Sequence, residues 1–382
     1  MHRLLALLLL LAPLPAAATD GDRQLAYSLL AVTQNRLSDA LDTLDQLTRT
    51  HPNFRLAQLV RGDLLLAHAR PLRTLGDTGR SARDLEQLRL EARQRIRALT
   101  EPPPHNKVPN YLLSLPDNVR HVLVADASRS RLYVFENRDG RPVLVDDLYV
   151  AIGKAGIGKE KEGDNRTPVG IYTVGRFKPS NRLPDLYGSG AWTLDYPNEW
   201  DRRLGRTGHG IWIHGSPSDT YSRGPQSSEG CVVLSNDDFD RLGRYVEAGK
   251  TPVVISEQIE WVAYDALDAR RAELATALDT WRIDWESRDV ARLLSHYSPD
   301  FRNGRQPFAA FAANKRRVNV GKTRIEVDLN RVGIKLYPDR PDLALVNFEQ
   351  DYQSNNFSSR TVKRQFWSRI DGRWRIVHET TL

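Results

Sequence analysis

Between residues 101 and 121 the spacing of apolar residues changes from helical to alternating, and this change sets the plan of the whole chain. Upstream, Leu25, Leu29 and Val32, then Leu37, Ala40, Leu41, Leu44 and Leu47, then Leu56, Leu59, Val60, Leu64 and Leu65 recur at the three- and four-residue intervals of amphipathic helices. Breaks at Thr50-His51-Pro52-Asn53 and at Gly76–Gly79 separate them, and Ser81–Leu99 adds another helix. Glu101-Pro102-Pro103-Pro104-His105 then favours extended polyproline geometry, that of a stiff linker. Beyond it, His121–Ala125, Arg131–Glu136 and Pro142–Ile152 read as strands, the second and third joined through Asn137-Arg138-Asp139-Gly140, a hairpin signal. Val253-Val254-Ile255 closes this block as a last strand. Gln258–Leu294 returns to helical spacing with Leu267, Leu274, Leu278, Trp281 and Trp285 on one face, followed by strand patterns around Arg324–Val332, Leu343–Ser354 and Thr361–His378. The 382 residues accommodate two or three domains. The expected class is multidomain α+β: a helical region 19–100, a linker 101–116, a mostly-β domain 117–256 and an α+β domain 257–382.

Residues 1–18 read as a secretory signal: His2 and Arg3, the apolar run Leu4–Leu11, and Ala16-Ala17-Ala18 as a cleavage site. No cysteine follows that site to carry a lipid anchor, so the expectation is an exported protein with no membrane span after cleavage. The net charge of +7 favours a polyanionic neighbour, and outside the cytoplasm that means wall polymers or headgroups. Arginine is spread along the chain with no basic run, which argues against a nucleic-acid partner.

Export gives the single cysteine its meaning, since an oxidising compartment pairs structural cysteines and a lone one has no internal partner. Cys231 lies in Ile211–Asn236, IWIHGSPSDTYSRGPQSSEGCVVLSN. His214 ends an apolar run upstream and is the candidate base for the thiol. Ser228-Glu229-Gly230-Cys231 is a turn in which Gly230 lets the backbone approach a substrate carbonyl, so that amides near Gly230 and Cys231 can face an oxyanion. This is an acyl-transfer layout; the bland alternative is a buried, inert cysteine. Of Arg223, Ser227 and Ser228, any can hold a substrate carboxylate, and the planar fork of Arg223 suits it best. Tyr187, Trp192, Tyr196, Trp200 and Trp212 serve equally as groove lining or as core. Asn236 is expected to cap a short helix over Asp237–Leu242.

His214-Gly215, the intervening loop and Ser228-Glu229-Gly230-Cys231 together resemble the L,D-transpeptidase (YkuD) family, whose closing motif is Ser/Thr-His-Gly-Cys. Asn165-Arg166-Thr167-Pro168-Val169-Gly170-Ile171-Tyr172 resembles the Thr-Pro-x-Gly-x-Phe/Tyr strand of the same domains. Glu229 stands where most members have a second histidine and Val233 where many have arginine. The resemblance covers roughly Asn118–Ser256. It implies a periplasmic cysteine acyl-transferase that cleaves peptidoglycan tetrapeptide stems after the L-centre of diaminopimelate, with Cys231 as nucleophile, His214 as base and Gly215 orienting its ring through the backbone carbonyl. Carbapenems would acylate the cysteine. With water as acceptor, the same site is a carboxypeptidase or an amidase releasing wall-bound lipoprotein. Residues Ala40–Ala69 loosely resemble one tetratricopeptide helix pair, for which a plain helical cap is an equal reading. The segment after Trp281 resembles the SnoaL-like cone fold, which implies a pocket or a homodimer contact; Asp351 and His378 are isolated polar candidates there.

Three other classes compete. A zinc module would use His209, His214, Glu229 and Cys231, but their spacing matches no zinc motif, and neither metal nor cofactor is expected. A nucleotide site at Gly153–Gly163 lacks the Gly-Lys-Ser/Thr order and a following helix. A wall-binding domain without catalysis is the third, and Glu229 lends it support.

Overall fold

A computed structural model describes residues 20–71, 74–76 and 82–382. The expected signal segment and most of the Gly76–Gly79 break lie outside the described residues. Four helices come first among the described residues: α1 Asp20–Thr33, α2 Leu37–Thr50, α3 Arg55–Ala67 and α4 Ala82–Thr100. Their apolar stripes meet in one core, with Leu25 and Leu29 of α1, Ala40, Leu44 and Leu47 of α2, Leu56, Val60 and Leu64 of α3, and Ala92 of α4. Truncating a fully buried leucine such as Leu44 to alanine would cost about 2–5 kcal/mol.

The central domain is an eight-stranded sheet. Its strands run Val232–Val233, Trp212–His214, Gly190–Leu194, Gly170–Pro179, Pro252–Ser256, His121–Asp126, Arg131–Arg138 and Arg141–Tyr149 from edge to edge. The alternation read from the sequence is realised on two buried faces. Leu123, Ala125, Leu132, Val134, Val253 and Ile255 enter one core. Val122, Val124, Tyr133, Phe135 and Val254 enter another. Parallel sheets need such double cover; here mixed strands have it too. The expected hairpin turns at Asp139 and Gly140, both with positive φ (53° and 83°).

The second core is shared with the C-terminal domain, through Tyr337, Leu343, Leu345, Phe366 and Val377. That domain bends a seven-stranded sheet around the helix Asp268–Glu286, whose Leu274, Leu278 and Trp281 fill its concave side. Arg364 reaches across the seam to Glu199 (2.9 Å) and Asp195 (3.3 Å) of the central domain.

The structure differs from the sequence reading in four places. The stretch after the prolines is not all linker: Lys107–Pro109 pairs with Trp261–Ala263, and Leu112–Ser114 joins the edge of the C-terminal sheet beside Ile325–Tyr337. Residues 258–267 are accordingly not α-helix but that short strand and a 3-10 turn, and the helical face breaks again at Arg288 (φ 65°) before Asp289 caps Val290–Ser295. Thr361–His378 is two strands, because Asp371 and Gly372 both take positive φ and turn the chain. The helix Asn236–Leu242 is capped by Ser235, whose hydroxyl accepts from Asp238 N, and not by Asn236. No helix among the described residues is long and apolar enough to cross a membrane.

Candidate active site

Trp212–His214 and Val232–Val233 run parallel, with Ile213 opposite Val232 and His214 opposite Val233. Ile213 and Val232 point into the core. Alternation therefore turns His214, and Cys231 just before the adjacent strand, to the same opposite face. His214 is 3% exposed, and its Nδ1 lies 2.7 Å from the Gly215 carbonyl oxygen. A carbonyl only accepts, so Nδ1 carries the hydrogen and Nε2 keeps its lone pair. Burial pushes the imidazole pKa down to about 4, the Gly215 bond opposing in part, so the ring is neutral at pH 7. The Tyr187 ring stands edge-on over His214 at 5.0 Å and also meets Trp212 at 5.0 Å.

Two glycines are required by close approach. A Cβ on Gly215 would come within 2.2 Å of Asn236 Oδ1, which accepts from Ser189 N (2.9 Å) and so ties the Tyr187 turn to the start of the helix Asn236–Leu242 beside Gly215. Gly230 has φ 128°, and a Cβ there would sit 2.7 Å from the Arg166 carbonyl. Thr167, from the Thr-Pro strand, fixes the same turn: its hydroxyl donates to Gly230 O (2.9 Å) and accepts from Gly153 N (2.9 Å).

The Cys231 thiol is half-buried and donates to Gly210 O at 3.4 Å. Burial raises its pKa; a Trp212 backbone hydrogen bond and the nearby Arg223 charge oppose this, and Glu229 adds to it. The resting pair is thus neutral thiol and neutral imidazole. Arg223 donates from Nη2 to Ser227 O (2.6 Å) and has charge interactions with Cys231 and Glu229. Ser228 departs from its expected place as a substrate contact. It is 2% exposed, donates to Cys231 O (2.6 Å) and accepts from Gly230 N (3.1 Å), so it builds the turn. Those bonds also commit the Gly230 amide, one of the two expected oxyanion donors. Glu229 is 82% exposed, and its recorded ion-pair partner is Lys154 (3.3 Å) instead of Arg223.

Of the five aromatics, Tyr187 and Trp212 flank His214, Tyr196 and Trp200 are buried in core, and Trp192 packs partly buried against Phe177. The zinc alternative loses its geometry: His209 faces solvent beside Glu162 (3.7 Å), and among the described residues no three His, Cys, Asp or Glu side chains converge as a metal site. Asp351 pairs with Arg360, and His378 is buried beside Phe366. Asn236 and Lys154 were not legible as site neighbours, and Tyr187 was legible only as one of five aromatics that could line a groove or fill the core. Thr167 was visible only as part of its Thr-Pro motif.

Residues 120–255 match the family model described as the L,D-transpeptidase catalytic domain, YkuD, and residues 273–380 match the Cds6 C-terminal NTF2-like domain. The chain carries a YkuD domain joined to an NTF2-like domain. The SnoaL-like expectation for the C-terminus agrees with the second match. Among curated proteins, YafK of Escherichia coli (strain K12), whose name assigns it provisionally to the L,D-transpeptidases, is 28% identical over 142 residues. That alignment covers 36% of this chain and 52% of YafK, so the chain spans about half the length of the curated relatives it matches. Among solved structures, Bd1075 of Bdellovibrio bacteriovorus superposes with a TM-score of 0.64 at 28% identity, over 72% of this chain and 98% of that one. Pgp2 of Campylobacter jejuni, described as a helical cell shape determining protein, gives a TM-score of 0.61 at 27% identity, over 71% and 95%.

Proposed function

We propose that the chain is an exported, periplasmic cysteine acyl-transferase that remodels peptidoglycan stem peptides by L,D-transpeptidation. The observation that supports this most is the His214–Gly215 hydrogen bond, which leaves the Nε2 lone pair free on the sheet face toward which Cys231 also turns. In the first step the thiol turns from the Gly210 carbonyl and gives its proton to His214 Nε2. Sulfur then bonds to the carbonyl carbon at the L-centre of diaminopimelate. The Gly230 N–H is held by Ser228, which leaves the Cys231 amide of that turn for the oxyanion. On collapse the carbon–nitrogen bond breaks, and the leaving amine takes the proton from Nε2. An acceptor amine then attacks the thioester, passes its proton to His214, and releases the thiol. Arg223 is the cation placed to hold a stem-peptide carboxylate.

Wall remodelling that alters cell shape is the role this reading gives the chain, in keeping with the description of Pgp2. Incubating the protein with purified sacculi and identifying muropeptides by mass spectrometry tests it. New cross-links between two diaminopimelate residues are expected, and shortened stems alone would make water the acceptor. Cys231→Ala should abolish either product in a folded protein; products persisting in that variant would end the proposal.

A further inference from the structure

The loop between His214 and Cys231 does not lie free on the surface as most loops do. It is inserted into the N-terminal helices. Tyr221 is buried in the core of α1–α4, stacked on Phe54 at 4.3 Å, and its N–H donates to Asn53 O (3.2 Å). Asn53 Nδ2 in turn donates to Ser218 O (3.1 Å), and Arg55 pairs with Asp219 (3.0 Å). Gly224 faces Gln87 of α4 so closely that a Cβ would come within 2.6 Å of its Oε1.

Two buried arms reach from α4 toward Arg223. In the first, Ser222 Oγ donates to Glu91 Oε1 at 2.6 Å, and Glu91 is 1% exposed. In the second, Arg95, 4% exposed, pairs with Glu91 (3.0 Å) and Asp22 (2.7 Å) and lies over the Tyr149 ring at 4.2 Å. The Tyr149 hydroxyl donates to the Arg223 carbonyl at 2.9 Å. A buried carboxylate and guanidinium are costly to desolvate unless their geometry is held by further hydrogen bonds. Here Asp22 and Glu91 serve the guanidinium, while Ser222 of the loop bonds the carboxylate and Tyr149 of the strand beside it covers the guanidinium.

We propose that Glu91 and Ser222 are positioning residues: the helical domain, through their hydrogen bond, fixes the backbone that leads into Arg223 and so holds its charge where it acts on Cys231. This rests on the reading of Cys231 as the reacting thiol and of Arg223 as its anion clamp. It gives α1–α4 a task in substrate selection, since moving that loop by a fraction of a hydrogen-bond length would misplace the only cation of the loop that interacts with the thiol.

Cys231 is the single cysteine, so alkylation reports on it alone. The test compares rates with anionic iodoacetate and neutral iodoacetamide in the full chain, in wild type, Ser222→Ala, Glu91→Ala, the double variant and Arg223→Ala. Arg223 should favour the anionic reagent by roughly threefold or more at low salt. Ser222→Ala should lower the iodoacetate-to-iodoacetamide ratio toward the Arg223→Ala value. On a soluble tetrapeptide substrate it should raise KM by roughly tenfold with little change in kcat. Glu91→Ala should lower the ratio at least as far, since it also strips Arg95 of one of its two carboxylate partners, and the double variant should be no worse than Glu91→Ala, because Ser222 then has no bond left to lose. An unchanged ratio in folded Ser222→Ala overturns the proposal, and so does an unchanged ratio in Arg223→Ala. Should Glu91→Ala not fold, Ser222→Ala, which removes one hydroxyl, decides alone. A ratio that falls as expected in a protein without activity on stem peptides would sink the functional reading and leave the positioning role standing.

Discussion

Lys154 Nζ stands 3.3 Å from Glu229 Oε1 on the solvent side of the turn that presents Cys231. Both side chains are largely exposed, and water and salt screen such a pair strongly. Glu229 thus bears on the thiol as a solvent-screened charge. Glu229→Gln should move the pH midpoint of Cys231 alkylation down by less than about half a unit and leave turnover within about twofold. A large loss of turnover would show that the carboxylate orients something the geometry does not reveal.

The depressed imidazole pKa makes a second expectation. On the proposed mechanism His214 is the base in its neutral form, which persists as pH falls until it is protonated near pH 4. The acid limb of kcat/KM on a soluble tetrapeptide should therefore lie near pH 4–5, below the ~6.5 of an ordinary histidine. A limb at 6.5 would mean that the ring is hydrated in solution and poised differently.

Removing residues 258–382 should not release a working central domain. Val122, Val124, Tyr133 and Phe135 would lose the partners Tyr337, Leu345 and Phe366 that cover them. Each large side chain uncovered forfeits about 1.5–3 kcal/mol of burial, and the bare sheet face invites aggregation. The truncation is expected to be insoluble or to bind hydrophobic dye. A soluble, active fragment would show that the two domains are separable.

Lys335 is 3% exposed on the strand facing the seam, and burial, with the Arg364 charge a lesser cause, pushes its ammonium pKa down to about 8. Its pKa in the unfolded chain is about 10.4, so between those values the unfolded state binds more protons and this residue's contribution to stability rises with pH. Below pH 8 the full cost is present. Lys335→Met should raise stability at pH 7 by on the order of 3 kcal/mol, with the gain shrinking toward pH 10, as read from thermal melts across that range. A lower melting temperature at pH 7 would mean that the ammonium has a compensating partner.

How much of this was readable in the chain depends on the range of the interaction. Helices α1–α4 and the strands at His121 and Arg131 follow from local periodicity, and the turn at Gly230 from a motif of four residues. The Gly215 carbonyl beside His214 is a neighbour in sequence and could be expected. The pairing of Glu229 with Lys154, the strut from Asn236 to Ser189, and the bond from Ser222 to Glu91 join residues far apart in the chain. Nothing local encodes them, because tertiary packing alone brings them together. The linker reading fails for the same reason: Pro102–Pro104 lie outside any strand, but the expected linker runs on through Lys107–Pro109 and Leu112–Ser114, whose strand partners stand far along the chain.

That strand has a consequence for the order of assembly. Ser114 pairs with Ile334, and Lys107 with Ala263, so a segment made early finds its partners only when nearly the whole chain exists. Contacts this distant in sequence close slowly. One face of the central sheet is covered by residues of the C-terminal domain, so two domains that are separate as sequences are expected to melt in one transition.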